Sequence, residues 1–141
     1  MPDVPRFVLH DHRKPQPHFD LRLEEGRVLR SWAVPRGLPE DPADNRLAIA
    51  VPDHAIEHLT YTDADKFIAD TGEWEEHDRN YRRLLFTLHG RDQSRRYALI
   101  RTDRDWLLHL TKDQPSDRVQ PADRVQPASA RFGRSRKRSA Q

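Results

Sequence analysis

Cysteine is absent from the 141 residues, which excludes a disulfide framework and a thiolate metal site and leaves only nitrogen and oxygen donors for any bound ion. Long apolar runs are absent too. Nothing approaches the ~18 consecutive apolar residues of a membrane-spanning helix, and the opening MPDVPRFVLHDHRK has no apolar stretch of the secretory kind. A cytoplasmic protein with no membrane partner is the expectation. Apolar residues are scarce, at 35% against 34% charged, so the core is thin unless part of the chain stays outside it. The length suits one domain.

Charge is nearly balanced at +2, but it is unevenly placed: up to Lys112 there are 18 basic and 20 acidic residues, and from Asp113 onward 7 basic and 3 acidic. The basic excess therefore belongs to the tail. There the hexad DRVQPA at 117–122 repeats at 123–128, Pro115, Pro121 and Pro127 recur among polar residues, and the chain ends in Arg131, Arg134, Arg136, Lys137 and Arg138. Such a segment has little to bury and is expected to be a disordered, extended tail, 113–141, suited to weak phosphate-backbone contact or to solvation. The folded domain is expected at 4–112.

Within that span, period-two runs rich in Val, Ile, Phe, Trp and Tyr are broken by Pro, Gly and Asp. Strands are expected at Arg6–Asp11, His18–Glu24, Arg27–Val34, Arg46–Pro52, Arg82–His89, Arg95–Thr102 and Trp106–Leu110. Hairpin signals lie at Glu25–Gly26 and Gly90–Ser94. Seven short strands on a small core favour an all-β protein, a small antiparallel barrel, because closure removes exposed edges. One short helix is expected near Tyr61–Ala69, capped by Asp63. Trp32 and Trp106 fall inside strand patterns and are expected in the core.

Chemistry concentrates on HFDLRLE. Alternation sends Phe19, Leu21 and Leu23 one way and His18, Asp20, Arg22 and Glu24 the other. His18 and Asp20 then stand about 7 Å apart, close enough to share one ion. Arg22 continues the line with a planar fork suited to phosphate or carboxylate oxygens. The plainer reading is a solvated charged face. His10 and His12 alternate at the end of the preceding strand, and the connection Arg13–Pro17 could bring His12 beside His18, so that two imidazoles and a carboxylate converge with coordination positions left open. His77, His89 and His109 read as surface or satisfied histidines. His54 and His58 are four apart, and the Pro52–Asp53 pair argues for a loop there. On these residues alone, a metal-dependent phosphoesterase and a non-haem iron oxygenase both fit.

The stretch FVLHDHRKPQPHFDLRLEEGRVLRSWAVPRGLPEDPADNRLAIAVPDH, followed by LLFTLHG at 84–90, YALIR at 97–101 and WLL at 106–108, resembles the 3′-phosphoesterase domain of bacterial ligase D. That resemblance implies a small β-barrel that uses a divalent metal, manganese in the family, to trim DNA 3′ ends in non-homologous end joining. The ends carry a terminal 3′-phosphate or a terminal ribonucleotide, and the partners are ligase or other end-joining proteins. It implies His12, His18 and Asp20 as metal ligands, and those three with Arg22 and His54 as the catalytic set. It assigns Arg22, Arg46, His54 and His58 to the substrate. His58 stands where the family carries a tyrosine, Pro52 where it carries an acid, and the family's Gly-rich insertion is missing between Tyr61 and Gly72. A stand-alone, shortened relative is expected, acting as an enzyme or, as the alternative, as an end-binding module that has lost turnover.

Overall fold

The computed structural model describes residues 4–115; the DRVQPA repeat and the basic chain end lie outside the described residues. Eight antiparallel strands form the protein: β1 (Arg6–His12), β2 (His18–Glu25), β3 (Val28–Val34), β4 (Arg46–Ala55), β5 (Lys66–Arg79), β6 (Arg83–His89), β7 (Ser94–Arg101) and β8 (Trp106–Leu110). They close into a barrel in the order β1-β2-β3-β4-β8-β7-β6-β5, with β5 returning to β1. The expected all-β antiparallel barrel is therefore the observed architecture. Gly26, at φ +64°, turns β2 into β3 in the left-handed region that favours glycine. The second expected hairpin closes where the Gly90 amide donates to the Gln93 carbonyl.

Alternation fills the interior. Phe7 and Leu9 of β1, Leu21 and Leu23 of β2, and Trp32 and Val34 of β3 join Phe86, Leu99 and Leu108 in one core cluster. Trp32 and Trp106 are buried as expected. Trp74 is buried with them, its indole donating to the Glu24 carbonyl at 2.9 Å. The outward face of the same three strands carries His10, His12, His18, Asp20, Arg22 and Ser31, and four of these are as deeply buried as the core.

The expected helix at Tyr61–Ala69 does not form. Asp63, read as a helix cap, instead makes a tight turn: its carboxylate accepts from the Asp65 amide and the Tyr61 hydroxyl, each at 2.8 Å, and Asp63 pairs with Lys66. From Lys66 the chain runs as β5, a 14-residue strand that pairs with β1 along its first half and β6 along its second. The helical content is a 3-10 turn at Ile56–Thr60. A cap residue and a short apolar run do not separate helix from strand, and the ladder partners on both sides decided the matter. Where β5 passes from one neighbour to the other, a Cβ on Gly72 would stand 1.9 Å from the His89 carbonyl oxygen, so only glycine fits.

Topology explains why an outward face is buried. β4 lies beside β3 and β8, whereas β5 lies beside β1 and β6. The link from β4 to β5 must therefore cross the barrel wall, and its 3-10 turn packs on both β1 and β3. It roofs the polar face of β1–β3.

Candidate active site on the barrel wall

Ladder register assembles the polar cluster. His12 lies opposite His18, His10 opposite Asp20, and Asp20 opposite Ala33, while Arg22 lies opposite Ser31. One potential ligand atom from each of His12, His18 and Asp20 falls within 4.8 Å of the others. Asp20 stands between the imidazoles: His12 Nδ1 is 3.2 Å from Oδ2, and His18 Nε2 is 3.2 Å from Oδ1.

The donor chemistry of this triad fits a cation. His18 Nδ1 lies 2.8 Å from the Gln16 carbonyl, an acceptor to which it must donate. In the neutral ring that leaves a lone pair on Nε2, aimed at a carboxylate oxygen. Two electron-rich atoms facing each other ask for a positive charge between them, and an imidazole whose far N–H donates to a backbone carbonyl is the usual orientation of a metal-bound histidine.

Arg22 is the hub beside the triad and is 2% exposed. Nε donates to His10 Nδ1 at 3.3 Å, Nη1 to Ser31 Oγ at 3.0 Å and to His54 Nδ1 at 3.1 Å, and Nη2 to Asp20 Oδ2 at 3.3 Å. Ser31 passes its own hydroxyl proton to the Leu29 carbonyl. Four of the five guanidinium N–H groups are thus spent within the protein, and one Nη2–H remains.

These bonds set the His10 tautomer, because a guanidinium can only donate. His10 accepts at Nδ1 and therefore carries its proton on Nε2, which donates to the Tyr61 carbonyl at 2.8 Å. Burial, with Arg22 and Lys66 adding to it, pushes its pKa down to about 4. His54 Nδ1 lies 3.1 Å from both Arg22 Nη1 and the Pro52 carbonyl. One neutral ring cannot serve both: Nδ1 accepts from Arg22 when the proton is on Nε2, and donates to Pro52 when the proton is on Nδ1. Burial first, then Arg22, lowers the His54 pKa, and burial first, then Lys66, lowers that of His58. All three rings are neutral at pH 7.

His54 does not lie in a loop. It sits on β4 opposite Leu29, while Val51 lies opposite Ser31, so Pro52 and Asp53 together face the single residue Arg30. This is a β-bulge, a place where a strand tolerates proline. The extra residue swings His54 onto the same face as Val51 and so toward Arg22. His58 arrives from the roofing 3-10 turn, its ring 4.7 Å from that of His54 and stacked on Tyr61 at 4.8 Å.

The structure brings six of the seven expected site residues together: His12, His18, Asp20, Arg22, His54 and His58. Arg46 stands apart. It holds Asp44 (Nε to Oδ2, 2.9 Å) and the carbonyls of Arg36 and Gly37, and it lines a separate cavity of about 640 Å³ with Phe19 and Tyr97 at the mouth of the barrel. Three residues of the cluster were not among the expected site residues. His10 was signalled by its alternation with His12, Ser31 only by cross-strand register, and Lys66 only by a strand read as helix. His77, His89 and His109 bond Thr87, Ser94 and Asn45 and belong to no cluster with the triad.

The neutral burial of His10 carries a pH dependence. Its folded pKa of about 4 lies below the ordinary 6.5, so the unfolded chain binds more protons between those values. Stability is complete above pH 6.5, falls as the pH drops toward 4, and levels off below that, by up to about 3 kcal/mol from this group. Urea unfolding of wild type and His10→Gln from pH 7.5 to 4.5 checks this, with the shallower slope expected in the variant.

Two imidazoles and a carboxylate set against a buried guanidinium, on the roofed outer wall of a closed barrel, define a small β-barrel protein with a candidate metal-and-anion centre. The chain matches the DNA Ligase D 3′-phosphoesterase domain over residues 10–101. It is 39% identical over 134 residues to the Multifunctional non-homologous end joining protein LigD of Mycolicibacterium smegmatis, covering 80% of this chain and 18% of that protein. It is 34% identical over 127 residues to the protein of the same name from Pseudomonas aeruginosa, covering 77% of this chain and 15% of that one. The chain belongs to the ligase D 3′-phosphoesterase domain family, and it spans less than a fifth of the length of these curated relatives. Among the described residues no helix is long and apolar enough to cross a membrane.

Proposed function

We propose that this protein is a divalent-metal-dependent 3′-phosphoesterase that acts on DNA ends, including those closed by a terminal ribonucleotide, in end-joining repair with a ligase as partner. The observation that carries the reading is the His12–His18–Asp20 triad standing directly beside the Arg22 hub. His12, His18 and Asp20 would hold the ion; two nitrogens with one carboxylate admit several divalent metals, and manganese is the one the family resemblance implies. A bound ion supplies Lewis-acid polarisation of a phosphoryl oxygen and a water acidic enough to attack at neutral pH.

The chain's own groups account for the rest. Arg22 keeps one Nη2–H for a phosphoryl oxygen and holds Asp20 in place with the other. His54 presents its Nε2–H to the phosphate when Nδ1 accepts from Arg22. With a lowered pKa it is neutral and acts as a hydrogen-bond donor more readily than as a proton source for the leaving 3′ oxygen. His58 stacks at the rim, in the position of the family's tyrosine, and also faces the substrate. Arg46 shapes the substrate side indirectly by clamping the 36–44 loop.

The test is a labelled primer with a 3′-phosphate end, annealed to a template and incubated with the protein and manganese or with a chelator. Conversion to a 3′-OH with manganese and none with chelator is expected. Binding of the phosphate end with no conversion would leave an end-binding module instead.

A further inference from the structure

Lys66 opens β5 opposite His12 and is 7% exposed. Its ammonium makes no hydrogen bond or ion pair with any described residue, and its one named contact is the Tyr61 ring, whose centroid is 5.5 Å from Nζ. A lysine this little exposed, with no carboxylate at ion-pair distance from its ammonium, is costly to hold in place, so its position calls for a reason. Asp20 does not neutralise it by contact: Oδ2 is engaged by Arg22 and His12 at 3.3 and 3.2 Å, Oδ1 faces the His18 Nε2 lone pair at 3.2 Å, and neither oxygen forms an ion pair with the ammonium. Asp63 is exposed, and its oxygens are taken by the Tyr61 hydroxyl and the Asp65 amide. The Lys66 charge acts on Asp63 of the adjoining turn and on the groups of the candidate site: Asp20, Arg22, His10, His54 and His58.

We infer that Lys66 is a second phosphate-binding cation of this site and that it selects a doubly charged terminal phosphate monoester over a singly charged diester. The inference rests on the phosphoesterase reading and deepens it. Arg22 has spent four of its N–H groups within the protein, whereas all three N–H groups of Lys66 remain. Among the buried charged groups facing this space, the two cations Arg22 and Lys66 outnumber the one carboxylate, Asp20. A diester brings one negative charge. A monoester brings close to two above its second ionisation near pH 6, and it matches the larger positive excess that a bound divalent ion creates. Because Lys66 enters from β5 and Arg22 from β2, on opposite sides of β1, the two can grip one phosphate from different directions.

The experiment measures binding in EDTA, where turnover is blocked, by fluorescence anisotropy of one labelled duplex in three forms: 3′-phosphate, 3′-methylphosphate and 3′-OH. Wild type is expected to prefer the 3′-phosphate over both other ends. Lys66→Met is expected to lose about tenfold of that preference while the 3′-OH affinity stays within about twofold, and Lys66→Arg to keep most of it. The melting temperature of Lys66→Met should not fall, since an unpaired ammonium has been removed, so lost preference would not reflect misfolding. Full preference in Lys66→Met, or equal loss on the monoester and diester ends, would overturn the role of Lys66. Absence of any preference in wild type would overturn the inference about Lys66, while conversion of the 3′-phosphate primer with manganese tests the phosphoesterase reading separately.

Discussion

Arg22→Lys is expected to lower kcat/KM for release of a 3′-phosphate by about 10²–10³-fold, although the charge is kept. Lysine offers one ammonium where the guanidinium reaches four partners in four directions: His10, Ser31, His54 and Asp20. No ammonium placement serves all of them. The Nδ1 atoms of His10 and His54 would lose their guanidinium donor, and with it the arrangement proposed to present a His54 N–H to the phosphate. Because these are buried groups left without partners, a stability loss of about 2 kcal/mol should accompany the kinetic one. Steady-state kinetics with urea unfolding on the same preparation checks both. Wild-type kinetics in this variant would mean that the hub is structural scaffolding away from the chemistry.

Asp20→Asn is expected to have the larger effect, a fall in turnover of at least about 10³-fold, equivalent to about 4 kcal/mol of transition-state stabilisation. The substitution keeps shape and volume but removes the one buried negative charge among Arg22, Lys66, His12 and His18. A divalent ion would then meet two imidazoles, one amide and two nearby cations. Rates within tenfold of wild type at saturating manganese, with an unchanged circular dichroism spectrum, would remove Asp20 from the chemistry.

The strand HFDLRLE was legible because period two is a local property: its apolar residues enter the core and its polar ones share the opposite face. Composition could not tell that this second face is buried. A charged face on a surface strand normally meets water, and only the crossing from β4 to β5, a consequence of strand order, roofs it. His54 illustrates another limit. Pro52 was a sound reason to end a strand, but a bulge accommodates proline, and the same bulge turns His54 toward Arg22. Lys66 was lost with β5, since Asp63 beside a short apolar run serves a turn as readily as a helix start. Resemblance to the family pointed to His12, His18, Asp20 and His54 by position. It carried no information about His10, which alternation with His12 signalled, or about Ser31 and Lys66, which enter through register alone.

The most direct test of the site is manganese binding to the intact protein, read by electron paramagnetic resonance of the free aqueous ion. One ion per chain is expected to be withdrawn from the free signal by wild type, with binding weakened by at least about 10²-fold in His18→Ala and in Asp20→Asn. His109→Ala, on β8 and hydrogen-bonded to Asn45, should bind as wild type does. Undiminished one-to-one binding by His18→Ala and Asp20→Asn would contradict the assignment of the metal to this triad.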